Sequence, residues 1–393
     1  MKSILALALI VLTTTRAFAE VPLVFDHLEL IFRSGEFDGH NVGAGTFISN
    51  AHVKANDAGD AAVTLKGIEY SADFGLWRYD ASSKTGNVIY RAPNERLVSN
   101  PTITKTGELL FTQFDLGVND GILKIDRLGK LTTVLERKDV ERGESFSDPA
   151  YTKSGALIYK AISSEGERAL MLYENGVERE LIAEGSGASY VFSPSSSSDG
   201  VTALKVRIGE LGQWSEDRPD QITLYKNGKL SVVMDDGSGY ASSFNNNLGV
   251  NNRGEVAIIA DHKKGRRLLR THAGSVQVIA LQGAMDDIKE FETFAPAIND
   301  QGHVVFRAID MRERRSLYYF NGTKLTKILS EGDLVPTDRE TGRIEHREGW
   351  PGFSSAPTLT NSDTLYFHCQ LWNKSEDQHL GAALYKLSLE FLN

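Results

Sequence analysis

The chain has a single cysteine, Cys369, in 393 residues. It cannot close an internal disulfide and must rely on a buried core, for which a chain of this length has ample material. Beyond the N-terminus no apolar run approaches the roughly 20 residues that cross a bilayer, so no helical span is expected. Acids outnumber bases, 52 Asp and Glu against 43 Lys and Arg, for a net charge of −9. That balance gives no electrostatic case for binding nucleic acid or an anionic membrane surface. Signatures of catalysis are missing too: there is no Gly-x-Ser-x-Gly elbow and no phosphate-binding Walker loop. The nine histidines form no His-x-His or His-x3-His pair that would seed a zinc site. Asn56–Asp60 and Asp115–Gly121 space oxygen ligands around glycine but lack the bidentate acid that ends a calcium loop. Their Asx side chains are expected to bond their own turn backbone. No metal and no cofactor is implied. Cys369 follows Leu365-Tyr366-Phe367-His368 on a predicted strand and reads as a core thiol, not a nucleophile.

What the sequence does contain begins with an export signal. Lys2, the apolar run Ile4–Leu12 and Ala17-Phe18-Ala19 before Glu20 have the layout of a cleavable secretory leader. Residues 1–19 are therefore read as a signal peptide and the mature protein as periplasmic or secreted. No Cys follows the leader to carry a lipid, and cleavage removes Lys2 and Arg16, leaving the mature chain more acidic still. Residues 20–393 contain no inter-domain linker and are read as one domain.

That domain is a repeat. In Ala295–Asp333 an extended segment, Pro296–Ile298, runs into the turn Asn299-Asp300-Gln301-Gly302 and then the β-rich Val304–Ala308. After a polar loop, Leu317–Phe320 and Leu325–Leu329 flank Asn321-Gly322, a pair suited to a type I′ hairpin. The first turn recurs with Gly59, Gly107, Gly155, Gly200, Gly254 and Gly302, and with Asp363 in a seventh copy. The spacing is roughly 48 residues, the length of a propeller blade and about twice that of a β-helix coil. The hairpin turn recurs in phase as Leu128-Gly129, Asn175-Gly176, Asn227-Gly228 and Ala273-Gly274.

The expected fold is an all-β, single seven-bladed β-propeller with four antiparallel strands per blade, blades starting near 50, 99, 147, 191, 245, 294 and 355. The seventh copy ends at Leu384–Leu389 with no fourth strand, while Leu28–Glu36 repeats the pattern of Leu325–Asp333. The N-terminal strand is therefore predicted to complete the last blade, which leaves no open sheet edge. The segment Pro-Ala-Ile-Asn-Asp-Gln-Gly-His-Val-Val-Phe-Arg-Ala, with the later Glu-Gly-Asp-Leu-Val-Pro, resembles the tandem propeller repeats of exported bacterial proteins, a family of no general activity. The resemblance covers nearly the whole mature chain. It implies a propeller and export, and carries over no catalytic residue.

Function has to be sought in the loops. Those joining strand 4 to the next strand 1, and strand 2 to strand 3, open on one face, and here they include the long stretches His40–Gly45, Arg207–Asp220 and Glu331–Gly352, with Gly185–Tyr190 and Gly237–Tyr240. Trp214, Trp350 and Trp372 are placed in these loops beside Asp217, Arg218, Asp338, Arg339, His346 and Arg347, as a recognition surface would be. The competing expectation is that these side chains pack down as lids over the blades. The reading is a monomeric, non-catalytic binding propeller that recognises a protein or glycan at the cell envelope. Its alternative is a hydrolase or lyase acting on carbohydrate or lactone at the channel mouth, which for glycoside hydrolysis needs paired carboxyls about 5 to 10 Å apart.

Overall fold

The computed structural model describes residues 22–48, 52–67, 75–93, 96–115, 118–140, 144–212, 219–236, 239–347 and 351–393. They form seven antiparallel sheets and no α-helix. The first strand of each blade contacts the first strand of the next, and that of blade 7 (Thr358–Leu359) returns to that of blade 1 (Lys54–Ala55), so the ring is closed. This is a seven-bladed propeller.

Blade 6 shows how sequence makes a blade. Its second strand, Val304–Asp310, buries Val304 through Ala308 without a break, because a neighbouring blade covers each face and period-two alternation has no polar side to mark. Phe306 and Tyr318 pack with Ile259 and Leu268 of blade 5, while Val305 and Tyr319 pack with Phe367 and Tyr385 of blade 7. The outer strand, Leu325–Ser330, buries only its last three residues.

Each blade begins with the same turn. Asn56, Thr104, Thr152, Ser197, Asn251, Asn299 and Thr360 each accept, on a side-chain oxygen, the backbone N–H four residues on, at 2.9 to 3.2 Å. These bonds satisfy the turn backbone, so the Asx and hydroxyl residues are structural there. In blade 7 Asp363 takes the glycine position at φ +50°, a conformation short polar side chains tolerate, and its carboxylate accepts from Asn299 Nδ2 at 2.7 Å and Asn393 Nδ2 at 2.9 Å. The later hairpins divide. Asn175-Gly176, Asn227-Gly228 and Ala273-Gly274 have positive φ at both residues, as type I′ requires. Asn321-Gly322 does not: only Gly322 has positive φ. Asn321 instead accepts from Thr323 N and Lys324 N and donates to Leu392 O, which makes a longer loop tied to the C-terminus.

Leu28–Arg33 pairs antiparallel with His379–Ser388, from Leu28 opposite Leu387 to Arg33 opposite Ala383. Ser34 N extends the pairing to Ala382 O at 2.8 Å. The N-terminal strand does complete the last blade. One expectation is corrected here. Part of Glu331–Gly352 is strand and not loop: Leu334–Pro336 and Thr341–Ile344 form a hairpin that joins blade 7 through Thr364–Asn373. Trp372 accordingly lies on that strand, opposite His379 and Arg343.

Candidate functional site

Strand order puts the seven first turns and the hairpin turns on one face, the turn face, and the remaining connections on the other, the loop face. The turn face is laced together. Asp57, Asp300, Asn252 and Asn361 occupy the position after the turn residue. Asn361 bonds both Asp57 and Asp300, and Asn252 bonds Asp300 and Ser198. In blades 2 and 3 that position is Lys105 and Lys153, and Lys105 reaches across to Asp199 at 2.5 Å. Asp57, Lys105, Asn252, Asp300 and Asn361 thus tie blades to one another and serve as structure.

Between the faces runs a central channel of about 390 Å³. Side chains four residues before each turn ring it: His52, Asn100, Asp148, Ser193 and Asn247 from blades 1 to 5, then Ala295 and Ala356 from blades 6 and 7. Two residues closer to the turn a second ring contributes Lys54, Thr102, Ser195 and Thr358. Alternation on a strand sends both rings inward.

Lys54 and Asp148 are the charged residues of these rings, and they form no ion pair with each other. Burial lowers the Lys54 ammonium, opposed by Asp148. Burial raises the Asp148 carboxyl, against the Ser147 hydroxyl bonded to it at 2.8 Å and the cations Lys160 and Lys54. Asp148 is exposed within the channel, and the protein groups around it displace its ionisation. It also adopts φ +52°, ahead of Pro149, at an irregularity in its strand. His52 is held down to about 4 by burial and by the positive charges of Lys54 and Arg307, so it is neutral at pH 7.

Behind the channel, the second strands reach toward the next blade. Lys160 Nζ donates to Ser193 Oγ at 3.1 Å, Lys205 Nζ to Phe244 O at 2.8 Å, and Arg307 Nη1 to Ser355 O at 2.9 Å. His368 holds the matching position in blade 7, is buried, and makes no hydrogen bond with either ring nitrogen. Burial, then Arg307, lowers its pKa to about 4. Cys369 beside it is also fully buried, and burial alone raises its thiol.

The loop-face candidates separate into three sets. Trp214, Asp217, Arg218 and Trp350 lie outside the described residues. Asp338 and Arg339 sit at the tip of the blade 7 hairpin, where Arg33 grips Asp338 through Nε at 2.7 Å and Nη2 at 2.8 Å, and Arg339 pairs with Asp38. His346, Arg347 and Trp372 gather at the other end of the hairpin around the buried Glu345. Arg347 donates twice to its carboxylate, Trp372 Nε1 donates at 2.5 Å, and the Arg347 guanidinium stacks 3.8 Å from the Trp372 ring centre. Burial works to raise Glu345, but these donors together hold it at about 2. His346 faces Glu376 at 3.3 Å. Both sets are well supplied with partners from within the chain, while Arg347 and His346 stay exposed.

A reading centred on the loops passes over the channel residues. Their signal was present: counting back four and two positions from each aligned turn residue yields both rings.

Neither a family model nor a curated protein matches the sequence. Among solved structures the chain is similar to an oligogalacturonate lyase in complex with manganese, at 11% identity over 94% of this chain and 95% of that one, with TM-score 0.57. It is also similar to the acylaminoacyl peptidase of Pyrococcus horikoshii, at 13% identity over 85% of this chain and 52% of that one, TM-score 0.52. A third is the polysaccharide lyase Uly1, at 10% identity over 89% and 91%, TM-score 0.50. Likeness at such identities establishes the propeller fold alone. Among the described residues no group of three His, Cys, Asp or Glu side chains converges to hold a metal ion.

Proposed function

We propose that this chain is an exported binding propeller that recognises a protein or glycan at the cell envelope through its loop face, without catalysis. The observation that supports this most is how the loop-side acids are used. Asp220 is paired with Lys205 and Arg207, Glu292 with Arg307 and Arg315, Glu345 with Arg347, and Asp338 with Arg33. Acids neutralised in this way are poor general acids or bases, whereas the pairs hold exposed residues such as Arg347 in place for a partner. The leader at residues 1–19 supports export.

Glycan-array binding and capture of envelope proteins are compared for the native protein, a Trp214→Ala/Trp350→Ala double variant and Trp372→Ala. Loss of a defined ligand by the variants at unchanged stability supports the loop face, and equal binding by all three moves the site elsewhere. The alternative, a hydrolase or lyase of carbohydrate or lactone, draws on the unpaired Lys54, His52 and Asp148 in the channel and on the lyases among the similar folds. Turnover of oligogalacturonate or of a lactone by the native protein, lost in Asp148→Asn, would establish it.

A further inference from the structure

We propose that the central channel is a binding site for a small zwitterion the size of an amino acid or dipeptide, its carboxylate against Lys54 and its ammonium against Asp148. This does not depend on the loop-face reading.

Two of the described charges in the channel are left without an ion-pair partner. Among the described residues, buried charges such as Arg33, Lys205 and Arg307 have ion-pair partners in Asp338, Asp220 and Glu292, whereas the half-buried Lys54 and the channel-exposed Asp148 have none. Among the described residues the Lys54 ammonium has no ion pair and no hydrogen bond, and the Asp148 carboxylate has one hydrogen bond, from the Ser147 hydroxyl, with Lys160 and Lys54 acting on it only through space. Unpaired charges in a confined space cost stability, and a fold keeps them where a ligand supplies the missing half.

Their placement sets the kind of ligand. Lys54 stands two residues before its turn and Asp148 four, so they lie at different levels along the channel axis. They project from blades 1 and 3, with Asn100 and Thr102 of blade 2 between them. A simple anion would leave Asp148 unanswered and a simple cation would leave Lys54 so. A neutral sugar would answer neither charge, whereas one small molecule carrying both signs satisfies both. The channel volume of about 390 Å³ lies at the small end of the range of small-molecule pockets.

The rest of the wall fits the same class. Asn100 Oδ1 takes the Thr64 hydroxyl at 3.5 Å, and among the described residues its amide nitrogen has no partner, leaving a donor in the channel wall for a carboxylate or peptide carbonyl. In blades 6 and 7 Ala295, Ala297 and Ala356, with Pro296 and Pro357, form a mostly apolar wall suited to an aliphatic side chain, and the Thr358 hydroxyl among them donates to Val53 O. His52, neutral at pH 7, adds a polar contact without adding charge.

Isothermal calorimetry on the mature chain tests this with L-leucine, L-alanyl-L-alanine, and the N-acetyl and C-amide derivatives of each. The expected result is one-to-one binding of at least one zwitterion, weakened about tenfold or more by blocking either end, as loss of a charge-assisted bond implies. Lys54→Met and Asp148→Asn should each abolish binding. Without ligand, both variants should keep or gain melting temperature, because each removes an unpaired charge. Four results would overturn the proposal: no zwitterion binds the native protein, blocked and free ligands bind alike, the variants bind as well as the native protein, or both variants lose stability without ligand. The last would make the two charges structural. Loop-face binding of glycan or protein should be the same in the channel variants as in the native protein, which keeps the two sites distinguishable.

Discussion

Replacing Glu345 by Gln should expose how the exposed end of blade 7 is held. Glu345 is 2% exposed and accepts from Arg347, from Trp372 and from the backbone N–H groups of His346 and Arg347. Its pKa falls from an ordinary 4.5 to about 2, so at about 1.4 kcal/mol per unit the ionised carboxylate contributes roughly 3 kcal/mol at pH 7. Because the folded pKa is the lower one, this contribution is complete above pH 4.5 and is lost as pH falls through 2. By pH 3 about 2 kcal/mol of it should be gone. Gln keeps the shape but turns an NH2 group toward donors, which adds a cost that does not depend on pH. Urea unfolding of native and variant protein at pH 7 and pH 3 measures both parts. The gap should be about 3 kcal/mol or more at pH 7 and narrow by about 2 kcal/mol at pH 3. A gap of the same size at both pH values would refute the reasoning, since it would mean that the carboxylate acts by shape alone. The variant should also loosen Arg347 and Trp372, and so weaken any ligand held by the loop face.

The turn glycines should not respond alike. At Gly200 a Cβ would meet Tyr151 O at 2.2 Å, whereas at Gly155 it meets nothing, so Gly155→Ala should cost about 1 kcal/mol for its positive φ and Gly200→Ala several times that by thermal unfolding; equal losses would contradict the packing argument. Ring closure depends on the N-terminal strand, and Phe32→Ala, in a core formed with Trp77 and Leu384, should cost about 3 to 5 kcal/mol; a change within 1 kcal/mol, read by calorimetry, would count against it. The buried, burial-raised Cys369 thiol should react with Ellman's reagent only at the rate of unfolding, and rapid native-state labelling would show that it is accessible.

Much of the architecture is local and was therefore legible. A glycine or Asx turn followed by a β-rich run is written in adjacent residues, and repetition at a constant spacing says that copies pack against copies. Even ring closure could be read, because Leu28–Glu36 repeats the pattern of a missing strand. The Asn321-Gly322 turn departs from the type I′ form its sequence suggests, with a distant partner, Leu392, engaging the Asn321 side chain. Trp372 and the Glu331–Gly352 stretch look like loop in sequence because length and polarity do not reveal that Thr341–Ile344 has an edge at Thr364–Asn373 to pair with. The sequence by itself determined the blades, their number and their order, since these follow from short-range pattern. Only the tertiary structure decided which charges have partners. The pairing of Arg33 with Asp338 spans 305 residues, and Lys54 and Asp148 stand unpaired in one channel because closing the ring brings every blade's inner strand to a common axis.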